Sequence, residues 1–188
     1  MTDNNGQVQM GGYGFKRTYV MPLLVLTLIC LVVSSALALM HTVTNPIIVS
    51  AAAERAQVAM SHTIPNATGF DAVDVSGLEG IPSSIREVYK SSNNVGYIFI
   101  AAVNGFSGDI TVICGVDNDG KIIATSTLSH TETRGIGTII EQGSFLDPFS
   151  GLDSRLDGID TVTGATITTR AFIRAIDDVL TADAIVRG

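Results

Sequence analysis

The first feature of the chain is an apolar run, Tyr19–Met40, that contains no formally charged residue. It is long enough to cross a bilayer as one helix, which takes about 20 residues. Lys16 and Arg17 precede the run, and no Lys or Arg follows it until Arg55. Because flanking positive charge stays in the cytoplasm, the pattern predicts a cytoplasmic tail (1–18), a single transmembrane helix (19–40) and an extracytoplasmic remainder.

A cleaved signal peptide is the alternative to a retained anchor. Ala36-Leu37-Ala38 resembles the small-residue site at which signal peptides are cut. The apolar run is, however, longer than the roughly 7–15 residues of a signal-peptide core. This length favours the retained anchor.

The next segment, 41–85, predicts a stalk helix and a connection. Asn45 followed by Pro46 is typical of a helix start, and small apolar residues continue to about Met60. From Ile64 to Pro82 the chain is rich in Gly, Pro, Asn and Ser, which predicts irregular structure.

Short apolar stretches separated by turn residues then predict an antiparallel meander. Asn93-Asn94 and Asp117-Asn118-Asp119-Gly120 supply hairpin turns, and the links are too short for parallel crossovers. A loop or short helix is expected around Pro148. The predicted strands are Glu87–Lys90, Val95–Val103, Ile110–Val116 and Lys121–Ser129.

Apolar residues at helical spacing predict a last helix from Thr168 to about Leu180. A twisted antiparallel sheet flanked by helices is an α+β fold. We therefore expect one domain of this class over 86–188, behind the membrane helix.

Charge and cysteine content restrict the classes of function. The net charge is −7, which argues against nucleic acid as a partner, since phosphate binding needs clustered Lys and Arg. Cys30 lies in the apolar run and Cys114 in a predicted strand, so a disulfide between them is not expected. The chain has no C-x-x-C motif, which argues against an iron–sulfur cluster.

Common catalytic motifs are missing. His130 and Glu132 alone are too few for a metal site, and neither H-E-x-x-H nor G-x-S-x-G occurs. The glycine-rich stretch Gly105-Phe106-Ser107-Gly108 lacks the lysine of a phosphate-binding P-loop. Hydrolase and metal chemistry therefore have no support in the sequence.

The threonine-rich turn Asp160–Thr169, ahead of the last helix, is a candidate anion site. Free backbone N–H groups and the helix dipole favour a phosphate at such a turn. Gly164 allows the backbone to come close to a ligand, and the threonine hydroxyls add donors. The alternative is that the threonines only cap the helix after a glycine turn.

Three motifs resemble the FMN-binding domain family, in the family's order. Thr163-Gly164-Ala165-Thr166 is similar to its S/T-G-A-T motif, His130–Gly137 to H-x-E-T-P-G-L-G, and Gly105–Ile110 to G-Y-G-G-x-I. With the anchor, the chain resembles the G subunits of Rnf electron-transport complexes within this family. The related C subunits of Na⁺-translocating NADH:quinone oxidoreductase are the alternative, but they are generally longer.

The resemblance implies a covalent flavin. In the family the last threonine of the motif carries FMN through a phosphoester, which implies attachment at Thr166 by a separate flavin transferase that uses FAD. Arg134 stands where the family usually has proline, and Ile136 where it has leucine. The other cofactor-binding residues implied are Asp160, Thr163, Gly164, Ala165, Thr131, Glu132, Gly135, Gly137, Gly105 and Gly108.

The resemblance also implies a role. The chain would be the electron-carrier subunit of a membrane complex that couples electron transfer between ferredoxin and NAD⁺ to movement of Na⁺ or H⁺. Its partners would be the other subunits of the complex, its C-terminal domain would lie on the periplasmic side of the inner membrane, and it would hold no complete active site alone. A membrane-anchored binding or assembly domain without flavin, and a tethered flavin reductase, are the alternatives.

Overall fold

A computed structural model describes residues 19–75, 77–153, 156 and 158–188 of the chain. The chain separates into two compact units that divide between Ala52 and Ala53. The expected cytoplasmic tail, with Lys16 and Arg17, lies outside the described residues.

Helix α1 is Met21–Thr63, 43 residues without a break. The helix predicted to about Met60 is present as part of α1, but it does not begin at Asn45, because Pro46 lies inside α1. A proline removes one backbone hydrogen bond and crowds the preceding turn, but the helical residues on both sides continue through it. Within the described chain, α1 is the one helix long and apolar enough to cross a membrane, with a mean hydropathy of 2.7 over its most apolar window.

The sheet is a five-stranded antiparallel meander with its strands in chain order. The predicted meander is confirmed, as are its two hairpin turns, where Asn94 (φ 56°) and Gly120 (φ 78°) take left-handed backbone. The strands are β1 (Phe70–Val73), β2 (Ile85–Ser91), β3 (Gly96–Asn104), β4 (Asp109–Asp117) and β5 (Ile122–His130).

Strand β1 lies in the segment for which the sequence predicts irregular structure. It pairs with β2 from Phe70 opposite Ser91 to Val73 opposite Val88. A four-residue strand with an aspartate and an alanine has little β-propensity of its own. Its pairing with the edge of β2 therefore decides its conformation.

Both faces of the sheet are covered. On one face, Ile98, Ile100 and Ile113 pack with Met60 and Ile64, at and just after the end of α1. A Cβ on Gly115 of β4 would lie 2.6 Å from Cγ2 of Thr63, so glycine at this position lets the helix end come close to the sheet. On the other face the larger core joins the sheet to the C-terminal helix.

That C-terminal helix, α3, is Thr166–Arg187. It extends about two turns past the predicted end at Leu180. Its last turns are held by Arg187, which donates from Nε to Oδ1 of Asp183 at 2.7 Å and from Nη2 to the carbonyl of Asp117. Burial raises the pKa of Asp183, and the Arg187 guanidinium opposes that rise. The Arg187 guanidinium also lies 5.0 Å from the ring centroid of Tyr97.

Between β5 and α3 the chain forms short helices. They are a 3₁₀ helix at Gly137–Glu141, helix α2 at Gly143–Leu146 and a second 3₁₀ helix at Asp147–Phe149, so the short helix expected around Pro148 is present. Phe145 and Phe149 from these turns meet Phe172 of α3, with ring centroids 5.4 to 5.6 Å apart.

Cys114, on the larger core's side of β4, is completely buried, and burial together with the charge of Asp183 raises the pKa of its thiol. Since the thiolate is the reactive form, we expect native Cys114 to react with iodoacetamide at pH 8 at least about a hundredfold more slowly than a free thiol. The measurement is mass spectrometry of a Cys30→Ser chain, which keeps one cysteine. Full labelling in guanidinium is the control, and rapid labelling of the folded chain would contradict the prediction.

Candidate cofactor site

A cleft of about 380 Å³ opens where three segments meet: the turn after β3, the segment that follows β5, and the N-terminus of α3. Its volume lies within the range of about 300–1,000 Å³ that ligand sites occupy. The lining residues are Phe106, Glu132, Thr133, Ile136, Gly137, Gly164, Ala165, Thr166, Ile167 and Thr168.

One wall of the cleft is the N-terminus of α3, which has no side-chain cap at Ala165. The first backbone N–H bonded within the helix is that of Thr169, which donates to the carbonyl of Ala165 at 2.9 Å. The N–H groups of Thr166, Ile167 and Thr168 therefore have no intrahelical acceptor. Together with the helix dipole they form a site for an anion.

The turn that leads into α3 is fixed by its own hydrogen bonds. Thr169 Oγ1 accepts from the N–H of Val162 at 3.2 Å and donates to the carbonyl of Ala165 at 3.0 Å. Gly164 has φ 88°, a conformation that side chains disfavour, and a Cβ there would meet open space. The backbone of the turn is therefore accessible from the cleft.

Thr166, the first residue of α3, is half-buried and lines the cleft. Its hydroxyl donates to the carbonyl of Val162 over a long 3.4 Å. That partner is a backbone carbonyl rather than an imidazole or carboxylate that could take the hydroxyl proton. The hydroxyl is thus accessible but is not activated by this contact.

The other walls are apolar and exposed. Beyond α1, the described residues expose four large apolar side chains, and three of them line this cleft: Phe106 is 68% exposed, Ile136 54% and Ile167 56%. Exposing bulky apolar side chains is unfavourable unless a ligand or partner covers them. A flat aromatic group next to the anion site would cover them.

Glu132 forms the floor of the cleft. It is 7% exposed. Its Oε1 accepts from the N–H groups of Phe106 at 2.7 Å and Ser107 at 3.0 Å, and its Oε2 accepts from Thr168 Oγ1 at 2.7 Å. The side chain therefore joins the turn after β3 to the first turn of α3.

His130 supports Glu132 from behind. Its Nδ1 accepts from the Glu132 N–H at 3.0 Å, and its Nε2 lies 3.0 Å from Oε1 of Glu141. Because Nδ1 is the acceptor, the ring proton of the neutral form is on Nε2, which donates to Glu141. His130 thus acts on the backbone of the site.

The structure brings five of the residues that the sequence singles out to the cleft: Glu132, Gly137, Gly164, Ala165 and Thr166. The others have different places. Thr131, Gly135, Asp160 and Thr163 are exposed and do not line it.

Two further glycines from the sequence motifs shape the turn after β3 without lining the cleft. The Gly105 N–H donates to the carbonyl of Gly108 at 2.8 Å, which closes the turn. A Cβ on Gly105 would lie 2.2 Å from Glu132 Oε1, and one on Gly108 would lie 2.3 Å from Thr131 Oγ1. Their role in the structure is to let the turn approach the segment after β5.

Sequence reasoning missed the apolar walls of the cleft. It also missed the bridge that Glu132 forms between the turn after β3 and the first turn of α3. Phe106, Thr133, Ile136 and Ile167 line the cleft, and bulky apolar residues within otherwise polar turns were the available signal. No group of three or more His, Cys, Asp or Glu side chains placed to hold a metal occurs in the described part of the chain.

A substitution tests how closely this site is packed. In Gly137→Ala the new Cβ would lie 2.4 Å from the Glu132 Cβ, which cannot move without its backbone. We expect a loss of about 1–3 kcal/mol in the free energy of unfolding, measured by urea denaturation of the flavin-free chain. Gly77→Ala, where a Cβ meets nothing within 4 Å, is the control. Equal stability of both variants would contradict the prediction.

An uncapped helix N-terminus beside exposed apolar walls, in an α+β domain, fits an aromatic ligand that carries a phosphate. Residues 105–181 match the FMN-binding domain family. Over about four fifths of its length the chain is similar to the G subunits of ion-translocating oxidoreductase complexes.

Three relatives illustrate this homology. The G subunit of the ion-translocating oxidoreductase complex of Methanosarcina acetivorans is 29% identical over 80% of this chain and 87% of its own length. The G subunit of the Na⁺-translocating ferredoxin:NAD⁺ oxidoreductase complex of Acetobacterium woodii is 28% identical over 82% and 86%. The G subunit of the ion-translocating oxidoreductase complex of Vibrio parahaemolyticus is 43% identical over 40% and 42%. The chain is also similar in structure to the crystal structure of Shewanella oneidensis NqrC, with a TM-score of 0.45 and 17% sequence identity. The aligned region covers 62% of this chain and 72% of the NqrC chain.

Proposed function

We propose that this chain is the electron-carrier subunit of a membrane-bound ferredoxin:NAD⁺ oxidoreductase that moves an ion, and that it carries FMN as a phosphoester on Thr166. The homology to G subunits along most of the chain supports the role. The chain contributes a redox centre and no complete active site. The other subunits of the complex are its partners.

The coupling ion is set elsewhere in such a complex. The relative from Acetobacterium woodii is named as a Na⁺-translocating subunit, and that from Clostridium ljungdahlii, 26% identical, as a proton-translocating one. One apolar helix without intramembrane charge has no groups that could bind an ion inside the membrane. We therefore assign ion movement to the neighbouring subunits.

One observation carries the cofactor assignment: Thr166 stands at the uncapped first turn of α3, in the cleft that also contains three exposed apolar side chains. The residues fit both the phosphate and the ring of FMN. The phosphate would lie at the N–H groups of Thr166, Ile167 and Thr168, and the ring would cover Phe106 and Ile136. When bound, FMN supplies a centre that accepts and passes on electrons.

The attachment needs an enzyme of its own. Thr166 Oγ1 would form a bond to the phosphorus of the FMN half of FAD, the bond between the two phosphates would break, AMP would leave, and the hydroxyl proton would pass to a base. The Thr166 contact to the Val162 carbonyl supplies no such base. We therefore propose a separate flavin transferase that uses FAD.

The remaining motif residues keep the roles that the resemblance implies, as part of this proposal. Gly164 and Ala165 would let the backbone approach the phosphate, and Asp160 and Thr163 would shape the turn. Thr131, Glu132, Gly135 and Gly137 would form the opposite segment, with Gly105 and Gly108 packed below it.

The layout in the membrane is likewise a proposal. We assign 1–18 to the cytoplasm, 19–40 to the membrane, 41–85 to the stalk and connection, and 86–188 to an extracytoplasmic FMN-binding domain. The charge asymmetry around the apolar run supports this orientation.

The test is in-gel fluorescence of the purified, SDS-denatured chain, followed by mass mapping. Trypsin releases 156–170, which contains the whole attachment turn, and fragmentation would locate the added FMN on Thr166. The same chain from a host without flavin transferase is the control. A dark band from a host that flavinylates other proteins would overturn the covalent carrier and favour a binding or assembly domain without flavin.

A further inference from the structure

The carboxylate of Glu132 is buried in the floor of the cleft, and among the described residues no cation pairs with it. Its three hydrogen bonds come from neutral donors, two backbone N–H groups and one hydroxyl. Within the described residues, Arg187 pairs with Asp183 and His130 contacts Glu141, and neither contact includes Glu132. A buried charge without an opposite charge is costly, and its own field is not cancelled locally.

The chain makes room for this carboxylate at two points. A Cβ on Gly105 would lie 2.2 Å from Glu132 Oε1, and a Cβ on Gly137 would lie 2.9 Å from Glu132 Oε2. Both glycines are thus needed to seat the side chain where it joins the turn after β3 to α3. Two of its three partners are backbone N–H groups, which can only donate, so Oε1 is held in place as an acceptor.

We propose that Glu132 is a positioning residue with an electrostatic effect: it joins Phe106, at the apolar wall, to Thr168, at the anion site, and its fixed negative charge lowers the reduction potential of the flavin. This inference rests on the proposed function. Adding electrons to a flavin adds negative charge, and a nearby carboxylate in a partly buried site opposes that. The hydrogen bonds hold the charge at one place beside the cleft.

The decisive variant is Glu132→Gln in the full chain carrying covalent FMN, in detergent. Glutamine keeps the shape: its carbonyl can accept from Phe106 and Ser107, and its amide can donate to a rotated Thr168 hydroxyl. We expect at least a tenfold higher ratio of reduced to oxidised flavin at a fixed applied potential, a rise of about 30 mV for a two-electron couple. Spectroelectrochemical titration measures it.

Two control variants separate charge from structure. Glu79→Gln removes one negative charge at an exposed position, and we expect its potential to equal that of the wild type. Thr168→Val keeps the Glu132 charge but removes one donor, and we expect its potential not to rise. The proposed electrostatic effect on the flavin would be overturned by an unchanged reduction potential in Glu132→Gln. It would also be overturned if the potential rose as much in Thr168→Val as in Glu132→Gln.

A second measurement needs no flavin. In the chain from a host without flavin transferase, we expect slow hydrogen exchange at the amides of Phe106 and Ser107, and at least tenfold faster exchange in Glu132→Ala. Unprotected amides in the wild type would overturn the positioning role. Loss of flavin from Glu132→Gln with both amides still protected would also contradict the proposal, because the carboxylate would then serve attachment. A wild-type chain without flavin would refute the proposed function instead. The hydrogen-exchange measurement would then still test whether Glu132 holds the turn after β3 in place.

Discussion

Thr166→Ala is expected to leave the denatured chain without flavin fluorescence, a loss of at least about a hundredfold against the wild type. A phosphoester needs a hydroxyl oxygen, and noncovalent contacts do not survive SDS. The side chain makes one long hydrogen bond, to the carbonyl of Val162, so its removal costs about 1 kcal/mol or less. The folded domain should therefore persist without its cofactor.

Two variants of the same turn make this result specific. Thr161→Ala removes an exposed hydroxyl five residues earlier and should keep full fluorescence. Thr166→Ser restores a hydroxyl at the attachment position and should recover part of it. Fluorescence that persists in Thr166→Ala, or disappears in Thr161→Ala, would place the bond on another residue of the turn.

Phe172→Ala is expected to cause the largest loss of stability. The ring is completely buried in α3 and packs against Phe145 and Phe149. Removing a buried phenylalanine ring costs about 3–5 kcal/mol, which for a domain of this size lowers the Tm by about 10–20 °C. Because these contacts hold α3 to the short helices after β5, the cleft would lose its shape as well.

The readout should report on the domain and not on α1. In the Cys30→Ser chain, a fluorogenic maleimide reacts with Cys114 only when the core opens. The labelling is followed as the temperature is raised, and its midpoint gives the Tm of the domain. Phe106→Ala, the same change at a side chain that is 68% exposed, should change the free energy of unfolding by no more than about 0.5 kcal/mol and so leave this Tm nearly unchanged. Equal midpoints for the two variants would contradict the assignment of Phe172 to the core.

The sequence predicts the middle of the fold well and its margins less well. Strands β2 to β5 follow from alternating apolar stretches between strong turn residues, since this pattern has one low-energy arrangement. Strand β1 and the last turns of α3 depend on contacts between distant residues: the edge of β2 for the first, and the Arg187 contact to the Asp117 carbonyl for the second. Local propensity contains neither.

The site shows the same division. The turn that forms the candidate anion site is predictable because helix N-termini and Gly164 have local signatures. The bridge through Glu132 is not, because its partners Phe106 and Thr168 lie 26 and 36 residues away in the chain. Thr168 illustrates the difference: as sequence its hydroxyl is one more donor for an anion, whereas in the fold it is occupied by Glu132.

The exposed walls of the cleft have a consequence for how tightly it needs to hold FMN. A noncovalent site must bury most of a ligand's surface to retain it in dilute solution. A cofactor bonded at the first turn of α3 instead has an effective concentration set by its short tether, on the order of millimolar or more, whatever the concentration of free FMN. Weak intrinsic affinity is then sufficient. With the attachment proposed for Thr166, the site is free to leave part of the flavin uncovered, at the surface where a donor or acceptor subunit would approach it.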